Sequence, residues 1–87
     1  MAQLHLPGTL PPLFRDLPRH HEIDAATVGE AIDHLDERWP GLRDRLCVPG
    51  PALRSHIHVY VDRERANLDT ALEARSRVDV IAAISGG

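Results

Sequence analysis

The sequence predicts an α+β domain in which a mixed sheet of four to five short strands is covered on one face by one main helix. Three observations predict it: alternating apolar positions near the start and towards the end of the chain, one apolar stripe of helical period between them, and Pro/Gly pairs that separate these segments. With 87 residues and 9.6 kDa the chain is expected to form one domain, residues 1–87. Scaling for folded monomers gives roughly 5,100 Å² of surface against roughly 13,900 Å² unfolded, so the core is small.

Gln3 to Leu6 alternates polar and apolar side chains, with Leu4 and Leu6 on one face, and reads as a first strand ended by Pro7-Gly8. Pro11, Pro12 and Pro18 exclude a helix interior or a central strand, so Thr9 to Pro18 is an irregular connection from which Leu10, Leu13, Phe14 and Leu17 plug the core. His20 to Ile23 is a second short strand. Thr27-Val28-Gly29-Glu30 has the capping-box pattern: the threonine oxygen accepts from the Glu30 amide, and the Glu30 carboxylate reaches back to the Thr27 amide. A helix therefore begins at Val28. Val28, Ala31, Ile32, Leu35 and Trp39 confine their side chains to an arc of roughly 100° that packs on a sheet. Pro40-Gly41 stops it, and Leu42 to Leu46 adds one further turn.

Pro49-Gly50-Pro51 is a loop. His56 to Val61 is the clearest strand, with Ile57, Val59 and Val61 on one face and His56, His58 and Tyr60 on the other. Asp62 to Arg65 turns the chain, Leu68 and Leu72 flank a short linker, and Val78 to Ile84 is a last, β-branched strand leading into Ser85-Gly86-Gly87.

Composition narrows the function. Ten basic against thirteen acidic residues give a formal charge of −3, which disfavours a nucleic-acid binder living on phosphate contacts. No apolar stretch approaches membrane-spanning length and no signal-like segment opens the chain, so it reads as soluble and cytoplasmic, with no membrane partner. All ten basic residues are arginine, so no side-chain amine is offered for Schiff-base chemistry or acylation. The single cysteine, Cys47, excludes an internal disulfide framework and reads as a small buried hydrophobe. His56 and His58, with His5, His20 or His21, read as solvated strand positions, and no metal site is expected. Asp33, Asp36 and Glu37 form an acidic helix face that reads as a solvated one.

The stretch Thr27-Val28-Gly29-Glu30-Ala31-Ile32 with Leu35, then Trp39-Pro40-Gly41-Leu42 and Arg45-Leu46, the strand Ile57-His58-Val59-Tyr60-Val61 and the terminal Val80-Ile81-Ala82-Ala83-Ile84-Ser85-Gly86-Gly87 together resemble the MoaD/ThiS family of sulfur-carrier proteins. The long insert between Leu46 and His56 is similar to the longer members, including the type that serves a cysteine synthase. The resemblance implies a ubiquitin-like β-grasp fold and a flexible tail over residues 84–87. It implies that Gly87, supported by Gly86, is where the chemistry happens: an E1-like adenylyltransferase of the MoeB/ThiF type uses ATP to adenylate the terminal carboxylate, which becomes a thiocarboxylate. The sulfur then passes to a synthase: the large subunit of molybdopterin synthase, a thiazole synthase or a cysteine synthase. The chain itself would be a cosubstrate, or a small subunit of molybdopterin synthase, rather than an enzyme, and would hold no permanent cofactor.

The residue types suit that chemistry. Glycine has no Cβ to block attack on its carbonyl. Ile84 to Gly87 spans roughly 13 Å at full extension, enough to thread a narrow channel. A terminal Gly-Gly arises by chance in only roughly 0.5% of chains at average glycine usage. Around the tail, Ser85, Ile84, Ile81 and Tyr60 are the partner-binding candidates. If Val78 and Val80 fill the core, Ile81 points outward and joins Tyr60 and Ile84 in an exposed apolar patch. The alternative is a ubiquitin-like modifier or a docking module. Three departures from the family pattern leave the last strand's register open: Asp62-Arg63 stands where the family has Asn-Gly, which argues against a type I′ turn and for a longer or bulged one, Ala74-Arg75-Ser76 replaces Asp-Gly-Asp, and Ala82 stands where a proline near the tail is usual.

Overall fold

A computed structural model describes residues 1–83; the positions 84–87 lie outside the described residues. The chain forms β1 (Ala2–His5), β2 (His20–Ile23), α1 (Val28–Arg38), α2 (Leu42–Leu46), β3 (Cys47–Val48), β4 (Ala52–Leu53), β5 (Ile57–Val61), β6 (Glu64–Ala66) and β7 (Arg77–Ala82). Five strands make one mixed sheet in the order β2-β1-β7-β5-β6. Its centre is the parallel pair of β1 and β7, with Leu4 opposite Val78, and the other pairings are antiparallel.

The apolar face of this sheet meets the stripe of α1. Leu4, Val59 and Val78 from the strands and Val28, Ala31, Ile32 and Leu35 from the helix are all buried in one core, with Leu6, Leu42 and Leu46 closing its ends. The helix starts where the sequence indicates: Thr27 Oγ1 accepts the Glu30 amide at 3.2 Å. The capping box is only half made, because the Glu30 carboxylate lies 3.8 Å from His34 Nε2, one turn on, instead of bonding the Thr27 amide. Two further amides of the first turn donate across the fold, Val28 to the Thr70 carbonyl and Gly29 to the Leu68 carbonyl. The stretch from Leu68 to Leu72 is thus a strap holding the helix start, and a Cβ at Gly29 would sit 3.2 Å from the Leu68 oxygen.

The acidic helix face is structural. Asp33 pairs with Arg43, and Asp36 Oδ1 accepts the amides of Gly41 and Arg43, joining α1 to α2. Gly41 has φ +98°, a left-handed conformation that glycine adopts without steric penalty.

Several expectations are corrected. Leu13 does not plug the core: Leu10 and Leu17 are buried, but Leu13 lies in a short 3-10 turn and is 53% exposed. Residues 49–51 are a loop, as expected, but the short strands on either side of it, β3 and β4, form an extra two-stranded hairpin that the sequence did not indicate. The turn after Val61 is neither longer nor bulged. Val61 pairs with Glu64, leaving a two-residue loop, and Asp62 and Arg63 both have positive φ (50° and 73°), the signature of a type I′ turn. Asp62 tolerates that conformation because its backbone and its side chain are both tied to Arg77: its amide donates to the Arg77 carbonyl at 2.8 Å, and its carboxylate accepts the Arg77 amide at 2.9 Å. The same pair of bonds sets the register of β7 against β5, Val61 opposite Val78 and Tyr60 opposite Asp79. Ser76, buried before β7, closes the preceding turn with Glu73 and offers its carbonyl to Gln3.

Candidate functional site

The face of the sheet turned away from α1 is open, and its residues are dictated by strand alternation. With Val78 and Val80 pointing into the core, Asp79 and Ile81 point outward, as do Tyr60 and His58 on β5 and Gln3 and His5 on β1. Ile81 is 47% exposed, one of the few large apolar side chains left to solvent among the described residues. Tyr60 is half-buried opposite Asp79, and Ile81 sits opposite His58, so Tyr60 and Ile81 are diagonal neighbours on adjacent strands. They line one shallow depression of about 400 Å³ together with His5, Arg19, Arg63 and Arg77.

Polar contacts hold this face in shape. Arg77 Nε donates to both carboxylate oxygens of Asp79, at 3.2 and 3.0 Å. Arg65 donates to His58 Nδ1 at 2.7 Å, and His5 stacks on His20 with ring centroids 4.6 Å apart. Arg19 is fixed by its Nε donating to the Leu6 carbonyl at 2.9 Å. Desolvation, then the Arg77 charge and His20, push the His5 ring below the ordinary imidazole value, with Asp79 opposing them.

The end of β7 leads from this face towards the tail. Ala83, the last described residue, donates its amide to the His56 carbonyl at 2.7 Å. A second depression of about 360 Å³ lies beside that point, lined by Leu10, Leu13, Ile57 and Ala82 with Arg45 and Arg54 at its rim. Of the residues expected to bind partners, the structure brings Tyr60 and Ile81 together beside the last strand. Ile84, Ser85, Gly86 and Gly87 lie outside the described residues. Arg19 and Arg63 went unnoticed in the sequence, since one precedes a short strand and the other sits in a turn, and neither position carries a local signal.

Other candidates are inert or distant. Cys47 is buried, and burial pushes its thiol up, away from a reactive thiolate. Among the described residues no three His, Cys, Asp or Glu side chains converge as metal ligands. No described helix is long and apolar enough to cross a membrane.

A mixed sheet that wraps one helix, with an open face beside its last strand, defines the ubiquitin-like β-grasp class. A family model described as the ThiS family matches residues 14–87, and the chain belongs to that family of small sulfur-carrier proteins, which are not themselves enzymes. Its fold is similar to a chain in the crystal structure of the Amycolatopsis orientalis BexX/CysO complex, at 25% identity and TM-score 0.85 over 100% of both chains. It is similar in sequence and fold to SAMP1 from Haloferax volcanii, at 30% identity and TM-score 0.73 over 99% of this chain and 98% of that one. Mycobacterium tuberculosis CysO shares the fold at 23% identity and TM-score 0.82, covering 97% of this chain and 100% of that one. No curated protein matches the chain.

Proposed function

We propose that this chain carries sulfur as a thiocarboxylate on Gly87. The observation that supports this reading most directly is the Gly86-Gly87 pair, which lies within the region matched by the ThiS family and follows four residues after the end of β7. A carboxylate is a poor electrophile. In the proposed sequence an E1-like adenylyltransferase joins the Gly87 carboxylate to the α-phosphorus of ATP and releases pyrophosphate. Hydrosulfide, or the outer sulfur of a partner's persulfide, then attacks the acyl carbon and AMP leaves. Hydrosulfide gives the thiocarboxylate directly, whereas a persulfide gives an acyl disulfide whose S–S bond a second partner thiol attacks, forming a disulfide on the partner and freeing the thiocarboxylate. ATP belongs to the partner, and this chain holds no cofactor. Its own part is to present an unhindered carbonyl on a slender end, and to offer Tyr60 and Ile81 on the open sheet face, with Ile84 and Ser85 next in line, as the surface partners grip.

The acceptor is a sulfur-accepting synthase, of the molybdopterin, thiazole or cysteine type, in the cytoplasm. The Amycolatopsis orientalis neighbour is named in complex with BexX, which supports a protein partner for this chain. A second reading is a protein modifier, favoured by the 30% identity to SAMP1, a small archaeal modifier protein.

Intact mass separates them. After incubation with ATP, an adenylating enzyme and a sulfur source, a carrier gains about 16 Da by exchange of oxygen for sulfur at Gly87, whereas a modifier forms an amide to a target amine. No mass gain, together with covalent conjugates, would replace the carrier reading with the modifier one.

A further inference from the structure

The depression at Tyr60 and Ile81 has a charge that the whole chain does not. It is lined by three arginines, Arg19, Arg63 and Arg77, and one aspartate, Asp79, in a chain whose formal charge is −3. Arg77 and Asp79 neutralise each other at 3.0 Å, while Arg19 and Arg63 make no ion pair among the described residues. The two are set at opposite ends of the depression. Arg63 occupies the turn whose Asp62 bonds Arg77 at the start of β7, and Arg19 lies with Val80, Ile81 and Ala82 near its end. From Arg77 to Ile81 the strand advances about 13 Å. Between the cationic ends lie the exposed Ile81 and the half-buried Tyr60.

From this arrangement we infer that the depression receives an extended acidic segment of a partner protein, with carboxylates at both ends and one apolar side chain between them. The inference rests on the reading of the open face as a docking surface and names the chemistry of its occupant. The charge pattern also orients the encounter. An acidic partner is repelled by the net charge of the chain and attracted by this face, which favours approach in the docking orientation before contact. Arg19 needs little ordering on binding because its Nε is already bonded to the Leu6 carbonyl and its guanidinium lies over Gly8.

The test is a nitrogen-15 NMR titration of the full chain with three blocked pentapeptides, Glu-Glu-Leu-Glu-Glu, Glu-Glu-Ser-Glu-Glu and Arg-Arg-Leu-Arg-Arg, and with inorganic phosphate. The expected result is saturable shifts at Arg19, Tyr60, Arg63 and Ile81 with the first peptide, at a dissociation constant below about 1 mM, and weaker binding of the serine peptide. The double variant Arg19→Glu/Arg63→Glu should weaken it by about tenfold, and Arg15→Glu, which lines no part of the depression, should leave it unchanged. The amide spectrum of each variant reports whether it is folded; Ile81→Ser, which changes no charge, tests the apolar contact separately. Equal binding of the basic peptide, shifts confined to another face, equal shifts with phosphate alone, or no saturation would each overturn the inference. Thiocarboxylate formation by the wild type is scored independently by mass: its absence removes the carrier reading and leaves the peptide result standing.

Discussion

The amide of Ala83 donates to the carbonyl of His56 at 2.7 Å, one residue beyond the end of the β7 ladder. That bond extends the antiparallel β5–β7 pairing, in which Ile57 pairs with Ala82, and every buried residue of the described core precedes it. Deleting Gly86 and Gly87 should therefore abolish sulfur loading while changing Tm by less than about 4 °C. Thermal denaturation and intact mass on the same sample check both halves, and a truncated chain that still gained sulfur would remove Gly87 from its proposed role.

Asp36 is the joint between the two helices. Its Oδ1 accepts the Gly41 amide at 3.1 Å and the Arg43 amide at 3.0 Å, where α2 would otherwise begin without a side-chain cap. Asp36→Ala should cost about 1–2 kcal/mol, seen as a fall in Tm of about 5–10 °C, with Asp36→Asn recovering part of it because the amide oxygen still accepts. An unchanged melt would show that solvent replaces both bonds without loss.

Arg63 carries a backbone strain that its side chain does not need for folding. At φ +73° a residue with a Cβ pays about 1 kcal/mol that glycine does not, partly offset by glycine's greater freedom when unfolded. Arg63→Gly should raise stability by about 0.5 kcal/mol in chemical denaturation and, in the same protein, weaken binding of the acidic pentapeptide. Stability and docking then move in opposite directions, which a purely structural arginine would not show.

His21 makes stability depend on pH. Desolvation pushes its ring below the ordinary imidazole value of 6.5, outweighing the bond from its Nε2–H to the Pro18 carbonyl; the nearby Arg38 and His20 lower it further, and Trp39 packs edge-on to the ring. A depressed value in the folded state means that the neutral ring is the one the fold favours. Its contribution is complete above pH 6.5 and is lost as pH falls through the lower, folded value. His5 is displaced in the same direction. Melting curves between about pH 7.5 and 5 should show Tm falling with acidification, and His21→Gln should flatten that fall; a variant with the wild-type slope would assign the dependence elsewhere.

What could be read in the residues was whatever repeats along the chain. The stripe from Val28 to Leu35 and the alternation from Ile57 to Val61 identify a helix and a strand because the buried side is fixed by a local period. Thr27 marks the helix start because a cap bonds three residues away, and Tyr60 and Ile81 were legible as outward positions for the same reason of alternation. The irregular stretch before Pro18 has no period, so nothing in it distinguished the buried Leu10 from the exposed Leu13. Glu64 to Ala66 lacks apolar alternation altogether, and it is a strand only because β5 supplies its partners.

The local alphabet thus determined the helix, the inner and outer faces of the long strands and the diglycine end. Tertiary structure alone decided that Gln3 pairs with Arg77, that Asp62 can hold a left-handed turn by bonding Arg77, and that Arg19 and Arg63 come to flank Ile81. The reason is range: a side chain's face follows from its neighbours within a turn or two, whereas a charge pattern assembled from a loop, a turn and the last strand exists only after the sheet has closed.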